Sequence, residues 1–183
     1  MSVPANGSLG WCWLYTELKG RQQLQGERPC GSSQCAAVAP LTAAPLNCLE
    51  TPGQSTIEEL CSAQGWQPGQ LVKVLLLLAV LEDGQQQPML VSLRGDQELN
   101  DVKLVNAVGR RTEQSVLDCR PINADDLQRQ GIDNIPFGFI GPDLADEVLA
   151  SAFSWTRSFL RLADTTATEL EQFHCGANAE DQH

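Results

Sequence analysis

The spacing of apolar positions along the chain becomes regular after about residue 50. Ser55 or Thr56 is placed to cap a helix that runs to about Gln64, since acidic side chains follow in its first turn. Gly65 comes directly after the last helical position, where glycine commonly ends a helix. The pattern therefore predicts a short helix ahead of the first strand.

A nearly continuous apolar run over residues 71–81 lies between two turn signals rich in Pro, Gly and Asp. The run is too short to cross a bilayer and has the length of a buried strand. Residues 89–93 are apolar again after the second turn signal. The two runs predict an antiparallel hairpin.

Residues 96–108 have helical spacing, with Asp96 placed to be the N-cap. Asp96, Asn100 and Lys103 would then share one face. The apolar residues that we expect to turn inward are Leu99, Val102, Val105 and Val108. A polar stripe that ends in a lysine suits a groove holding an anion. A surface pair between Lys103 and Asp96 or Asn100 explains the same spacing more simply.

The rest of the chain alternates strands with short helices. The pattern predicts strands at 115–119 and 158–162, a helix at 124–130 capped by Asn123 and closed by Gly131, a loop at 134–142, and a last helix from Asp164 or Thr165 to about Phe173. This order predicts an α/β protein of the α+β type, in which a mixed, mainly antiparallel sheet is covered by helices.

Residues 1–48 are rich in Gly, Ser, Ala, Gln and Pro and show no sustained apolar period. One small apolar group lies at residues 11–15, and residues 26–45 are typical of a linker. We therefore predict an N-terminal extension or linker, partly irregular, over 1–48 and one folded domain over 49–183. A chain of 183 residues is long enough for one good core.

The charge argues against unaided binding to nucleic acid. Twelve Lys and Arg stand against 23 Asp and Glu, for a net charge of -11. Phosphate attraction dominates the affinity of proteins for nucleic acids, so this chain has little of it to offer. Either the chain does not bind RNA strongly, or another part of a larger assembly holds the RNA.

The seven cysteines are an odd number with no repeated spacing, which argues against a secreted disulfide framework. Cys30 and Cys35 form one C-x4-C pair, and two ligands do not make a zinc site. We expect no metal site. The N-terminus shows neither a signal sequence nor a membrane span, so a cytoplasmic location is expected.

Four ordered motifs carry a family resemblance. GDQELNDVKL, residues 95–104, resembles the GDxELNxxKL signature of the editing domain inserted in bacterial-type prolyl-tRNA synthetases, in the YbaK-like aminoacyl-tRNA deacylase superfamily. The other three motifs are LETPGQSTIEEL at 49–60, PFGFIGP at 136–142 and FHCGANAEDQH at 173–183. The resemblance covers residues 49–183 and implies a YbaK-like domain, a curled sheet with its helices outside.

The resemblance implies post-transfer editing, the hydrolysis of alanine mischarged onto tRNA(Pro). An aminoacyl ester is already activated, so the site needs only to place a water, exclude proline and stabilise an oxyanion. The implied partners are the 3' aminoacyl end of tRNA(Pro) and the rest of the synthetase in cis, with no DNA or membrane partner. No cofactor is expected for this chain, because ATP and Mg belong to the synthetase core, whose motifs are absent here.

Lys103 and His183 are the catalytic residues that the resemblance implies. By its motif position, Lys103 would hold the terminal phosphate or ribose, or polarise the ester carbonyl as a fixed charge. Asp96 and Asn100 would orient that lysine. His183 ends the GAN-x4-H motif and would carry a proton or contact the ribose.

The glycine loop, residues 136–142, is implied to wall the amino-acid pocket. Gly138 and Gly141 would let the backbone approach the substrate and offer N–H donors to its carbonyl oxygen, and Pro142 would stiffen the wall. We expect Lys103 to border the main pocket on the side facing this loop. Asp164 matches a family aspartate, although helix capping alone also explains it. Thr165 follows it where the family often has arginine.

Two other functions stay open. The chain could be a non-catalytic structural module of a synthetase that has lost hydrolysis, which the acidic charge and Thr165 allow. It could also be a free-standing deacylase. Against this, the motif at 173–183 resembles the segment by which the chain re-enters the synthetase body, and a free-standing protein would have no reason to carry it.

Overall fold

A computed structural model describes residues 47–133 and 135–183. The predicted apolar group at 11–15 and the cysteine pair at 30 and 35 lie outside these residues. In chain order the elements are α1 (Ile57–Gln64), β1 (Val72–Leu81), β2 (Gln86–Arg94), α2 (Asp101–Thr112), β3 (Val116–Pro121), α3 (Ala124–Gln130), β4 (Leu160–Ala163) and α4 (Thr165–Thr168), with 3-10 turns at Pro68–Gln70 and Asp146–Leu149.

Within the described residues, four strands form one sheet in the order β3-β1-β2-β4. β1 pairs antiparallel with both β2 and β3, and the hairpin register runs from Val72 opposite Arg94 to Val80 opposite Gln86. β4 joins the other edge of β2 in parallel. The predicted mixed, mainly antiparallel sheet is therefore confirmed.

The sheet separates two apolar clusters in the described part of the chain, because successive strand residues point to opposite faces. Leu77 of β1 belongs to the cluster that contains Leu104 and Val108 of α2. Leu76 belongs to the other cluster, which contains Leu127 of α3 and Ile140 of the glycine loop. α2 and the glycine loop are thus anchored on opposite faces of the sheet.

Local capping signals predicted the short helices correctly. Thr56 accepts a hydrogen bond from the backbone of Glu59, whose side chain bonds back to the Thr56 N–H, and Gly65 ends α1 with φ +72°. Asn123 and Asp126 form the same reciprocal arrangement at α3. These caps depend on side chains within three residues of the helix start, so the sequence carries all the information they need.

The start of α2 was predicted wrongly. Its N-cap is Asn100, whose side chain accepts from the Lys103 N–H at 2.9 Å. Asp96 instead binds the Arg94 guanidinium with both carboxylate oxygens, at 2.6 and 2.8 Å. Arg94 is only 7% exposed, and a buried guanidinium needs a charged partner. Asp96 therefore pairs with Arg94 and does not serve as the N-cap of α2.

The inward face of α2 was predicted only in part, because Val108 is buried and Leu99 packs against its cluster as expected, but Val102 and Val105 do not turn inward. Leu104 and Val108, four residues apart, are buried, whereas Val102 is 71% and Val105 37% exposed. The predicted positions are three residues apart and drift around a helix of 3.6 residues per turn, so they cannot all face the sheet.

The last helix ends at Thr168 rather than near Phe173. The chain leaves it to run beside the start of β1, where the Val72 N–H donates to the His174 carbonyl at 2.8 Å. Pairing with a strand edge requires extended backbone, so the helix cannot continue.

Candidate functional site

An open cavity of about 360 Å³ lies between the glycine loop and the tail, residues 174–183. Apolar and aromatic side chains supply one wall, and the tail supplies the other. The lining residues are Ile135, Pro136, Phe137, Phe139, Asn178, Ala179 and Glu180. The cavity surface is mixed in character, with polar atoms contributing slightly more of it than apolar ones.

Gly138 gives the loop its shape. Its φ is +88°, a left-handed backbone that side chains other than glycine adopt with strain. A Cβ at this position would lie 2.7 Å from the Ser55 Cβ, closer than carbon atoms approach one another. Glycine is therefore required here by both conformation and packing, because the loop lies directly against Ser55, the residue before the N-cap of α1.

His183 is held against the glycine loop. Its Nδ1 lies 2.7 Å from the Thr51 Oγ1, its ring packs near Phe139, and its backbone pairs with that of Leu49. Burial lowers the pKa of His183, and a hydrogen bond with the Gly138 backbone only partly opposes this. The lowered pKa favours the neutral form of the ring near neutral pH.

Gly141 does not offer its N–H to a substrate. The N–H donates to Asn178 Oδ1 at 2.7 Å, so the expectation of a substrate-facing donor at this residue is wrong. The bond forms because Asn178, with φ +60°, turns its side chain back toward the loop. Asn178 was not among the predicted site residues, although it lies in the GAN triplet of the fourth motif.

Lys103 forms an ion pair with Asp164, at 2.9 Å between Nζ and Oδ2. Asp164 is also the N-cap of α4 and accepts from the Thr166 N–H. Burial acts to raise the pKa of Asp164, but the hydrogen bonds from Lys103 and Thr166 outweigh it and hold the pKa below its usual value. Lys103 does form an ion pair at the surface, as the simpler interpretation predicted. The partner of Lys103, however, is Asp164 and not Asp96 or Asn100.

Lys103 is not among the residues that line the cavity. Its helix packs on the sheet face opposite the one that holds Ile140 of the glycine loop. Lys103 and the loop therefore do not face each other across this cavity, and the expected place of Lys103 beside the main pocket stays a prediction. The Lys103 side chain is 58% exposed, so its ammonium remains accessible from solvent.

Two absences concern the described residues alone. Among them, no group of three or more His, Cys, Asp or Glu side chains is arranged to hold a metal ion. None of their helices is both long and apolar enough to cross a membrane.

A model of the aminoacyl-tRNA editing domain family matches residues 51–183. The chain belongs to this family. It is 82% identical over 147 residues to the proline–tRNA ligase of Parasynechococcus marenigrum (strain WH8102), covering 80% of this chain and 25% of the ligase. It is 58% identical over 144 residues to that of Synechococcus sp. (strain CC9902), covering 79% and 24%. The chain spans about a quarter of the length of these relatives.

The predicted site residues lie in two separate places in the editing domain. Gly138, Gly141, Pro142 and His183 belong to the glycine loop and the tail beside the cavity. Lys103, Asn100 and Asp164 lie together at the start of α2 and α4. Asp96 belongs to neither group, because it pairs with Arg94.

Proposed function

We propose that this editing domain hydrolyses the ester that joins alanine to tRNA(Pro), as an insertion within a proline–tRNA ligase. The observation that carries the proposal is the cavity between the glycine loop and the tail, in a chain whose residues 51–183 match the editing family. Its 360 Å³ is near the lower end for small-ligand pockets, which suits an aminoacyl end rather than a whole nucleotide.

Discrimination in such a cavity is steric. The rings of Phe137 and Phe139 and the ring of Pro136 form a stiff wall. Alanine carries a single methyl group and fits beside this wall, whereas proline carries a ring fused to its nitrogen. Rejection by overlap can exceed the discrimination available from one missing methylene, which is worth only about 1–3 kcal/mol.

The proposed hydrolysis uses water directly and not a thiol. Burial raises the pKa of Cys119, and it raises that of Cys175 well above its usual value. The thiolate is the nucleophilic form, so neither side chain is activated near neutral pH. Replacing either cysteine should leave the hydrolysis rate essentially unchanged in single-turnover assays.

Lys103 would contact the RNA end and not the reacting carbonyl. Its position away from the cavity lining and its 58% exposure support a role as a point charge for the terminal phosphate or ribose. With a net charge of -11, the chain contributes few other cations. The remaining grip on the tRNA would come from the rest of the synthetase in cis.

The test is single-turnover deacylation of Ala-, Cys- and Pro-tRNA(Pro) by the chain. Hydrolysis of the alanyl ester with Pro-tRNA(Pro) spared supports the proposal. The separation of Lys103 from the cavity favours one competing function, a structural module without hydrolysis. Failure to hydrolyse any of the three esters above the spontaneous rate would favour that module.

A further inference from the structure

Asn178 holds the glycine loop at three points. Its backbone N–H donates to the Phe139 carbonyl at 2.9 Å, and its Oδ1 accepts from the Gly141 N–H at 2.7 Å. Its Nδ2 donates to Asp143 Oδ1 at 2.6 Å. These three bonds, which we call the Asn178 clamp, connect the tail to loop residues on both sides of Ile140.

Asp143 fixes the orientation of the clamp. An amide side chain presents an acceptor on one side and donors on the other. Because the Asp143 carboxylate can only accept from Nδ2, Oδ1 must face Gly141. Burial raises the pKa of Asp143, and the hydrogen bond from Asn178 acts in the opposite direction, as expected for a donor to a carboxylate.

The tail lies directly on the loop at the clamp. A Cβ on Gly176 would overlap the Phe139 carbonyl group, so no larger residue permits this approach. Asn178 adopts φ +60°, which asparagine and aspartate tolerate better than other side chains. Both features allow the tail to contact the loop backbone without intervening side chains.

The clamp also connects the two walls of the cavity. Phe139 lines one wall and Asn178 lines the other, and the backbone bond between these two residues joins the walls directly. We infer that Asn178 is a positioning residue that determines specificity, because it fixes the position of the loop wall against which the aminoacyl group would lie. This inference rests on the proposed function.

The decisive variant is Asn178→Asp. Aspartate keeps the size, the tolerance of positive φ and the acceptor for Gly141, but it replaces the Nδ2 donor with a carboxylate oxygen next to Asp143. Two adjacent carboxylates repel, so the clamp should open. We expect the ratio of Ala- to Pro-tRNA(Pro) hydrolysis to fall by about tenfold or more, because wall geometry sets steric rejection.

The double variant Asp143→Asn with Asn178→Asp supplies the rescue. In this variant the amide is at position 143 and the carboxylate is at position 178, so a donor again faces an acceptor. The double variant should therefore recover most of the lost selectivity. If Asn178 only stabilised the fold, Asn178→Asp would not selectively weaken the rejection of proline, and the double variant would not restore that rejection. Asn123→Asp makes the same chemical change at the N-cap of α3, where aspartate still accepts from the Asp126 N–H, and should change nothing.

Asp143→Ala tests the clamp without introducing repulsion. It removes only the acceptor for Nδ2, so the Asn178 amide can rotate and release the Gly141 N–H. Amide hydrogen exchange at Gly141 should be slow in the wild type and in the double variant, and faster in Asp143→Ala and Asn178→Asp. This measurement needs no enzymatic activity.

The outcomes separate the two proposals. An active wild type whose proline rejection survives Asn178→Asp would overturn the inference and leave the proposed function standing. A double variant no more selective than Asn178→Asp, or fast exchange at Gly141 in the wild type, would also overturn it. A wild type that hydrolyses no mischarged tRNA(Pro) would remove the proposed function, and the inference with it.

Discussion

The Lys103 ammonium lies 2.9 Å from the Asp164 carboxylate, although the two residues are 61 positions apart in the sequence. Asp164 is at the end of β4, where its N–H donates to the Ser92 carbonyl of β2. The parallel pairing of these strands brings the start of α4 beside the start of α2. The fold thereby joins two residues that the family motifs mark separately.

The ion pair should contribute little to stability. With Lys103 58% exposed, water screens the attraction, and such pairs are worth about 0.2–1 kcal/mol. A double-mutant cycle with Lys103→Ala and Asp164→Asn, measured by denaturant unfolding, should give a coupling free energy within that range. Asparagine retains the cap of α4, so the cycle isolates the charge. A coupling of several kcal/mol would show that the pair is a structural element.

Gly138→Ala should destabilise the domain. The alanine would meet both a left-handed backbone and the Ser55 Cβ at 2.7 Å, and strain of this kind costs about 1–3 kcal/mol. Gly53→Ala is the matched control, because Gly53 has φ +69° but nothing within 4 Å of its Cβ position. Denaturant unfolding should show a larger loss for Gly138→Ala. Equal losses would mean that contact with Ser55 does not matter.

His183 should make stability depend on pH. Because burial lowers its folded-state pKa, the unfolded chain binds the proton first. The stabilisation is therefore complete above the ordinary histidine pKa of about 6.5 and declines as pH falls through the folded-state pKa. The difference in unfolding free energy between the wild type and His183→Gln should shrink as pH is lowered. A difference that grows on acidification would contradict a neutral, buried ring.

The chain should bind tRNA weakly, with a shallow dependence on salt. The slope of affinity against salt reports the number of phosphates neutralised, and 12 basic residues face 23 acidic ones in this sequence. Titration of labelled tRNA(Pro) over a range of salt concentrations measures the slope directly. Tight binding that weakens steeply with salt would contradict this prediction and would mean that the main RNA-binding residues lie within this chain.

Sequence patterns predicted the elements whose signals are local. The caps at Thr56 and Asn123 are set by neighbouring residues, and the hairpin follows from two apolar runs around a turn. The start of α2 could not be found this way, because burial of Arg94 in the tertiary fold recruits Asp96. The burial of Arg94 depends on the tertiary fold, so local helix propensity alone does not decide where α2 begins.

The candidate site was predicted in part. The motifs marked Gly138 and the glycine loop, and the positive φ and close packing give a physical reason for that glycine. They did not reveal the bond between Gly141 and Asn178, because it joins segments 37 residues apart. They also did not reveal that the sheet separates α2 from the loop, since strand pairing decides which face each segment covers.

The account is tested most directly by single-turnover hydrolysis of Ala-tRNA(Pro) by the wild type and Lys103→Ala, with thermal melts of both. Arg110→Ala is the matched control, because Arg110 is an exposed cation in the last turn of the same helix. With the enzyme below saturation, we predict that the wild type hydrolyses the ester and that Arg110→Ala is unchanged. Lys103→Ala should be folded but slower by about tenfold or more, because losing a charge-assisted contact to the RNA end weakens binding by about 1.5–3 kcal/mol. A wild type without activity, or a Lys103→Ala variant as fast as the wild type, would contradict it.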